Sequence, residues 1–354
     1  MTESVSLIED LYRYNDWANA RVFAMCLDLT QAQLDETREI GFGSLRNTLF
    51  HILTAEQIWL ERWQVVSWRP FPTDSMGMGL DDIEAQFKQI AQARQQMIGS
   101  ERATKWKRVV NYKDSRGTEF SNPLDLLLLH VVNHSIYHRA QALNLLKSLG
   151  RTVPIGLDYI FYKLARPTLE QDSASLASCR SVGLEIASGL GRIALWNHEL
   201  VERYYAYHDW GTDQVLDIAA GASDDQLDRD FDIGPGSIRK TLMHALQVEE
   251  FWWSSLQEPP TKPCESPPSG VGEMRDRWND LRLQRNAFIA SLDGTTAQRV
   301  ISVAPAGEPL KVRVLEALVQ VAGHGTHHRA QLVNMLRHSQ LAVPSVDVVD
   351  WYRQ

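Results

Sequence analysis

A chain of 354 residues, 44% hydrophobic and 23% charged, has the composition of a globular protein of about two domains. Its formal charge of -8 leaves no basic excess for general nucleic-acid binding, and no apolar run approaches the ~20 residues of a membrane-crossing helix. The acidic opening MTESVSLIEDLYRY is the wrong pattern for a signal peptide, and Cys26, Cys179 and Cys264 form no CxxC, so a cytoplasmic chain without a disulfide framework or thiolate zinc site is expected.

From Leu7 to Leu27 a stripe of Leu7, Ile8, Leu11, Tyr14, Trp17, Ala18, Val22 and Met25 follows the 3.6-residue period of an amphipathic helix. Ser44 can cap a second helix, Leu45 to about Gln64, and Ile83, Phe87, Ile90 and Ala91 mark a third over Asp81 to about Ile98. The alternating WKRVVNYKDSRGTEFSN breaks at Ser-Arg-Gly and reads as a hairpin-like excursion. Asn122 then caps a fourth helix, with Pro123 in its first turn, Leu149 near its end and Gly150 beyond. The Ser/Ala-rich PTLEQDSASLASCRSVG, from Pro167, reads as a linker. Helices at 198–220, 237–256, 271–291 and, after a short excursion, 311–338 follow, while the five prolines of 257–272 predict a surface loop. The expected architecture is all-α: two tandem up-and-down four-helix bundles at 1–165 and 195–354, joined by a linker at 166–194.

The two halves repeat one sequence. Shifted by 193 residues, Leu7–Trp59 falls on Leu200–Trp252 with 21 identities in 53 positions, among them Tyr14/Tyr207, Asp16/Asp209, Gly41/Gly234, Gly43/Gly236, His51/His244 and Glu56/Glu249. At a shift of 190, HSIYHRAQALNLL from His134 lies over HGTHHRAQLVNML from His324. The chain is a tandem duplication.

The repeat sorts the 11 histidines. His134 and His138 are i, i+4 on the fourth helix and project from one face. His51 sits inside the second helix, and in a bundle these two helices come close enough for the three imidazoles to meet. His244, His324 and His328 form the matching set. Three imidazoles suit Zn, Ni, Fe or Cu and leave coordination positions open, as a catalytic site does. A lone histidine in an apolar helix is ordinarily a hydrogen-bonded core residue; the recurrence of the whole set in both repeats favours metal.

Together, the helix-two His51, the HSIYHRAQ of helix four and the YNDWAN of helix one resemble the DinB/YfiT-like superfamily of metal-binding four-helix bundles, and the resemblance covers both repeats. It implies a three-histidine metal site at His51, His134 and His138 and another at His244, His324 and His328, with water completing the coordination. It also implies activities such as transfer or isomerisation with a low-molecular-weight thiol cosubstrate, or metal-dependent hydrolysis. Many members are dimers, so the tandem reads as a pseudo-dimer within one chain, and further oligomerisation stays open.

Other residues carry two readings. Gln141 and Gln331, three residues past the last histidine of each set, can orient a ligand imidazole or a bound water, or bond across the bundle. Glu56 and Glu249 can serve as general bases, but a solvated or salt-bridged helix face is preferred. For Arg139 and Arg329 a structural ion pair is preferred over binding of a substrate anion. His130, one turn before His134, is a possible extra ligand in the first repeat, where the second has Gln320; His327 replaces Tyr137. His198, His208 and His338 have no counterparts and are expected at the surface, while Tyr12, Tyr14, Trp17 and Trp59 read as core.

No protein carboxylate stands at ligand spacing, and no phosphate loop, nucleophile elbow or Cys–His pair recurs. The expected nucleophile therefore comes from solvent or cosubstrate. The favoured reading is a metal-dependent enzyme on a small-molecule substrate, by thiol-linked S-transfer or isomerisation through a metal-activated thiol. The alternatives are a hydrolase using metal-bound hydroxide, or a non-catalytic metal-binding stress or scaffold protein. No nucleic-acid or membrane partner is expected.

Overall fold

The computed structural model describes residues 3–64, 71–72, 75, 77–100, 106–114, 116–151, 156–164, 192–264, 266–304 and 309–353. They form two compact units, Met1–Leu157 with Phe161–Ile193, and Asp158–Ile160 with Ala194–Gln354. The linker expected at 166–194 falls almost wholly outside the described residues. Among the described residues, no helix is long and apolar enough to cross a membrane.

The first unit runs β1 (Glu3–Ser6), α1 (Leu7–Cys26), α2 (Gln31–Leu34), α3 (Leu45–Trp63), α4 (Leu80–Ser100), β2 (Val109–Lys113), β3 (Glu119–Pro123) and α5 (Leu124–Ser148). The four long helices close into a ring, α1 and α3 each packing against both α4 and α5. Their starts are set by side chains. Ser6 Oγ accepts from the Glu9 N–H at 3.2 Å while Glu9 Oε2 takes the Ser6 N–H at 2.9 Å, a reciprocal cap. Ser44 Oγ accepts the Asn47 N–H at 3.2 Å at the head of α3. Trp17, Leu53, Leu127 and Leu146 fill the interior. Tyr12 and Tyr14 are buried there too, and each phenol donates to a carbonyl, of Leu128 and Leu157 respectively, at 2.9 Å.

The excursion before the last helix is a true antiparallel hairpin, paired from Val109↔Pro123 to Lys113↔Glu119. It corrects one expectation. Asn122 does not cap α5, because it is still in the strand and its Oδ1 accepts from Tyr112 Oη at 2.8 Å. Pro123 is the N-cap, without a side-chain bond, so strand passes into helix with no intervening loop.

In sequence, a short helix (Tyr159–Leu164) and a short strand (Arg192–Leu195) come between the two sets of long helices. The second set runs α6 (His198–Ala220), α7 (Asp224–Asp228), α8 (Ile238–Leu256), α9 (Val271–Ser291), α10 (Gly294–Ala297), β4 (Val300–Val303), β5 (Leu310–Arg313), α11 (Val314–His338) and α12 (Val348–Trp351). Here α6 and α8 each pack against α9 and α11, the same ring of four. The phenols of Tyr205 and Tyr207 donate to the carbonyls of Leu318 and Val346, as their counterparts do in the first unit. The protein is mostly helical, with its two four-helix bundles built alike.

Candidate metal centres

In the first bundle, α3 carries His51 and the facing α5 carries His134 and His138. The α-helical rise puts His134 and His138 one turn apart on the face that meets α3. The three ring centroids lie 4.4, 4.6 and 4.9 Å apart, and one nitrogen of each falls within 4.8 Å of the others. His51 Nε2 and His134 Nε2 are 3.0 Å apart. Two nitrogens bound tetrahedrally at ~2.0–2.1 Å to one metal would stand roughly 3.3 Å apart, so the spacing fits a shared ion. Burial, and secondly the neighbouring His138, push the His51 pKa well below the ordinary imidazole value, which keeps a lone pair available at neutral pH.

Gln141 fixes how His138 presents itself. Its Oε1 accepts from His138 Nδ1 at 2.8 Å, so the proton is held there and Nε2 is left as the donor toward the cluster. Of the two readings of this glutamine, the structure supports orientation of the imidazole. Gly41, at φ +57°, packs against the same amide: a Cβ there would stand 2.8 Å from Gln141 Oε1. Phe42, the next residue, is partly exposed and stacks on His51 with centroids 3.8 Å apart. Phe42 also lines an open cleft of about 550 Å³ together with Asp35, Thr37, Asn47 and Ser75.

The second bundle rebuilds the arrangement with His244 on α8 and His324 and His328 on α11. Centroids lie 4.3, 4.7 and 5.3 Å apart, and His324 Nε2 and His328 Nε2 are 3.0 Å apart. Burial lowers the pKa of all three, strongly for His324 and His328. Gln331 Oε1 accepts from His328 Nδ1 at 2.8 Å, while its Nε2 donates to His327 Nε2 at 3.1 Å, so this glutamine is held at both ends. A Cβ on Gly234, at φ +51°, would collide with the Gln331 amide.

Glu56 and Glu249 are salt-bridged, but buried rather than solvated. Glu56 Oε2 accepts from Arg94 at 2.5 Å, and its Oε1 from Asn15, Asn19 and Ser135 at 2.8, 3.2 and 3.3 Å. Arg94 also pairs with Asp16. In the second bundle Arg285 joins Glu249 to Asp209, and Trp278 Nε1 donates to Glu249 Oε2 at 3.0 Å. Burial pushes the Glu249 pKa up, but His208 and Arg285 outweigh it and hold the carboxyl well below its ordinary range. Both carboxylates are thus engaged by buried donors, the salt-bridged setting preferred for them from the sequence. Arg94 and Arg285, which neutralise them, were not picked out by motif; their signal is that they too correspond between the repeats.

Three further expectations change. Among the described residues Arg139 and Arg329 have no ion pair of the kind expected: Arg139 donates to Asn15 Oδ1 and Asn19 Oδ1 at 2.5 and 3.0 Å, and Arg329 to Thr326 Oγ1 at 2.8 Å. His208 is not at the surface; it is 3% exposed and bonded through Nε2 to Glu249 Oε2 at 3.2 Å. It occupies the place of Asn15, where a buried acceptor needs a donor, and that need rather than solvation decides its position. His130 stands outside the cluster of close nitrogens, packed edge-on against Trp59 at 4.8 Å, so it does not extend the first set. His198 and His338 are partly exposed.

The two clusters fit a divalent transition metal by donor type, spacing and protonation. The DinB family model matches the chain twice, over residues 1–172 and 197–353. No curated protein and no solved structure matches it. With both bundles and both histidine sets inside those two matches, the chain belongs to the DinB family as a tandem duplication.

Proposed function

We propose that the chain is a metal-dependent enzyme acting on a small molecule, with thiol-linked transfer or isomerisation as its reaction class. The observation that carries this reading is the pair of three-imidazole clusters, each with one imidazole oriented by a glutamine. Zn, Ni or Fe bound there would supply the Lewis acidity that lowers the pKa of a thiol or of water.

The chain's own residues supply the rest. Gln141 and Gln331 hold the Nδ1 protons of His138 and His328 and so keep the opposite nitrogens as donors. Glu56 and Glu249, engaged by Arg94 and Arg285, take no proton from a nucleophile. With Glu56 and Glu249 so engaged, ionisation of the nucleophile falls to the metal and to the nucleophile's own acidity, and a thiol is a stronger acid than water. In the first bundle Phe42 shields one ring face of His51 and gives the adjoining cleft an apolar wall for an organic substrate.

Hydrolysis is the second reading, and the second bundle favours it. There His208 and Glu249 share with His324 and His328 a cavity of about 20 Å³, room for one water.

Screening tag-free protein with low-molecular-weight thiols and electrophiles, with and without chelator, separates the readings. Chelator-sensitive thiol consumption that His134→Ala reduces supports the first. Chelator-sensitive hydrolysis without thiol supports the second. Stoichiometric metal with neither activity points to a non-catalytic metal-binding protein.

A further inference from the structure

Three aromatic rings stand around the first histidine set. Phe42 lies nearly flat on His51, with centroids 3.8 Å apart and planes at 24°, and it also reaches His138 at 5.4 Å. Phe71 comes within 6.0 Å of His51, and Tyr137 meets His138 edge-on at 5.1 Å. Phe42 gives one ring face to His51 yet stays 42% exposed, which leaves its other face to the cleft that it lines. The second repeat has Pro235 in place of Phe42 and His327 in place of Tyr137. Among the described residues, the ring neighbours of His244, His324 and His328 are histidines.

Beyond Phe42 the cleft is polar but carries no unpaired charge. Asp35 is its one ionic side chain, and Arg46 holds it through Nε at 2.6 Å and Nη2 at 3.0 Å. Asn47 Oδ1 accepts the Ser75 N–H at 3.4 Å, while its Nδ2 has no partner among the described residues and can donate to a bound molecule. In the second repeat Lys240 replaces Asn47 and Asp230 replaces Thr37. Lys240 Nζ stands 3.9 Å from Asp230, so an exposed charged pair takes the place of two neutral side chains.

We propose that the first centre takes a small molecule bearing an uncharged aromatic or similarly flat conjugated ring, and that Phe42 selects it by stacking on that ring. The second centre, with Pro235 at this position, makes no such selection. The inference rests on the reading of the chain as a metal-dependent enzyme on small molecules, and names the substrate class of one of its two centres. Stacking of two rings adds to the burial of apolar area, and that addition is lost when either partner is aliphatic. Because Phe42 leans on His51, a ring stacked on its free face is held beside the histidine set. A charged ring would give up hydration in a cleft that offers it no opposite charge.

The test uses two probes with the same metal-binding head, benzohydroxamic acid and acetohydroxamic acid, titrated calorimetrically into full-length Co²⁺-loaded protein. Their affinity ratio isolates the ring and cancels any change in Co²⁺ binding itself. In His244→Ala, which leaves the first centre, the aromatic probe should bind about 10-fold tighter or more. Adding Phe42→Ala should cut the ratio to about 3-fold or less, while Phe42→Tyr should keep it. In His51→Ala, which leaves the second centre, the ratio should also be about 3-fold or less, and Phe42→Ala should not change it. At the first centre 4-carboxybenzohydroxamic acid, the same ring with a charge, should lose the preference. Equal ratios at the two centres, a first-centre ratio that Phe42→Ala leaves unchanged, or equal binding of the charged and uncharged rings would overturn the inference while leaving the metal-dependent reading intact. A protein that takes up no Co²⁺ would overturn both.

Discussion

His208 fills the space that Gly325 leaves by having no side chain: a Cβ on Gly325 would collide with the His208 ring. The first repeat has Asn15 and Ser135 at the matching positions, and both donate to Glu56. In the second repeat, one larger residue has taken over the donor role and the facing residue has shrunk to admit it. The two repeats thus solve the same problem, a buried carboxylate, with different pairs.

That relationship predicts non-additive stability. Gly325→Ser alone should destabilise by about 1–3 kcal/mol through overpacking. Combined with His208→Asn, which restores the first repeat's pair, it should recover, with a coupling of about 0.5–3 kcal/mol. Urea unfolding of the two single variants and the double one measures it; strictly additive losses would mean the pair is not compensated.

The two glycines near the first centre separate strain from support of the site. Gly41 and Gly43 both have positive φ, +57° and +83°, but a Cβ on Gly41 meets Gln141 whereas one on Gly43 meets nothing within 4 Å. Either change to Ala should cost about 1–2 kcal/mol of backbone strain. Gly41→Ala alone should also displace Gln141, free His138 Nδ1 and lower metal affinity about 10-fold or more. Equal metal affinities in the two variants would refute the link from Gly41 through Gln141 to His138.

Arg94 holds two buried acids together, at 1% exposure of its own side chain. Arg94→Ala leaves Asp16 and Glu56 buried without their cation and should cost about 3–5 kcal/mol. Arg285→Ala should do the same in the second bundle, where Asp209 and Glu249 are its partners. Thermal or urea unfolding of each variant tests this, and a loss under ~1 kcal/mol would show that the acids find other partners.

How much of this was legible in the sequence depended on whether a feature had a period or a partner in the other repeat. The long helices carry 3.6-residue stripes, and their spans agree with the structure to within a few residues at each end. One-turn helices such as Gln31–Leu34 and Asp224–Asp228 have no period, although the Thr30–Gln33 and Ser223–Gln226 caps mark them locally. The histidine sets were visible because both repeats keep them. His208 was not, because it belongs to one repeat alone and its setting depends on a distant residue, Gly325. Asn122 was misplaced because a capping residue before proline looks alike whether a loop or a strand precedes the helix.

The histidines give the metal-free protein a pH dependence. Burial depresses the pKa of His51, His244, His324 and His328 below the value of about 6.5 that they have when unfolded. Below that pH the unfolded chain takes up protons that the folded one refuses, so stability is full above pH ~6.5 and falls as the pH drops through it. Each group contributes up to about 1.4 kcal/mol per pH unit. Urea unfolding of chelator-treated protein should therefore show a steep loss between about pH 7 and 5.5, and replacing His244, His324 and His328 by Gln should flatten it. The same slope in wild type and variant would contradict the assignment.

Elemental analysis by plasma mass spectrometry of tag-free protein reaches the central claim most directly. Wild type should carry about two transition-metal ions per chain, and His51→Ala and His244→Ala about one each. Wild type without bound metal, or metal content unchanged in both variants, would contradict the assignment of His51, His134 and His138 and of His244, His324 and His328 as two metal centres.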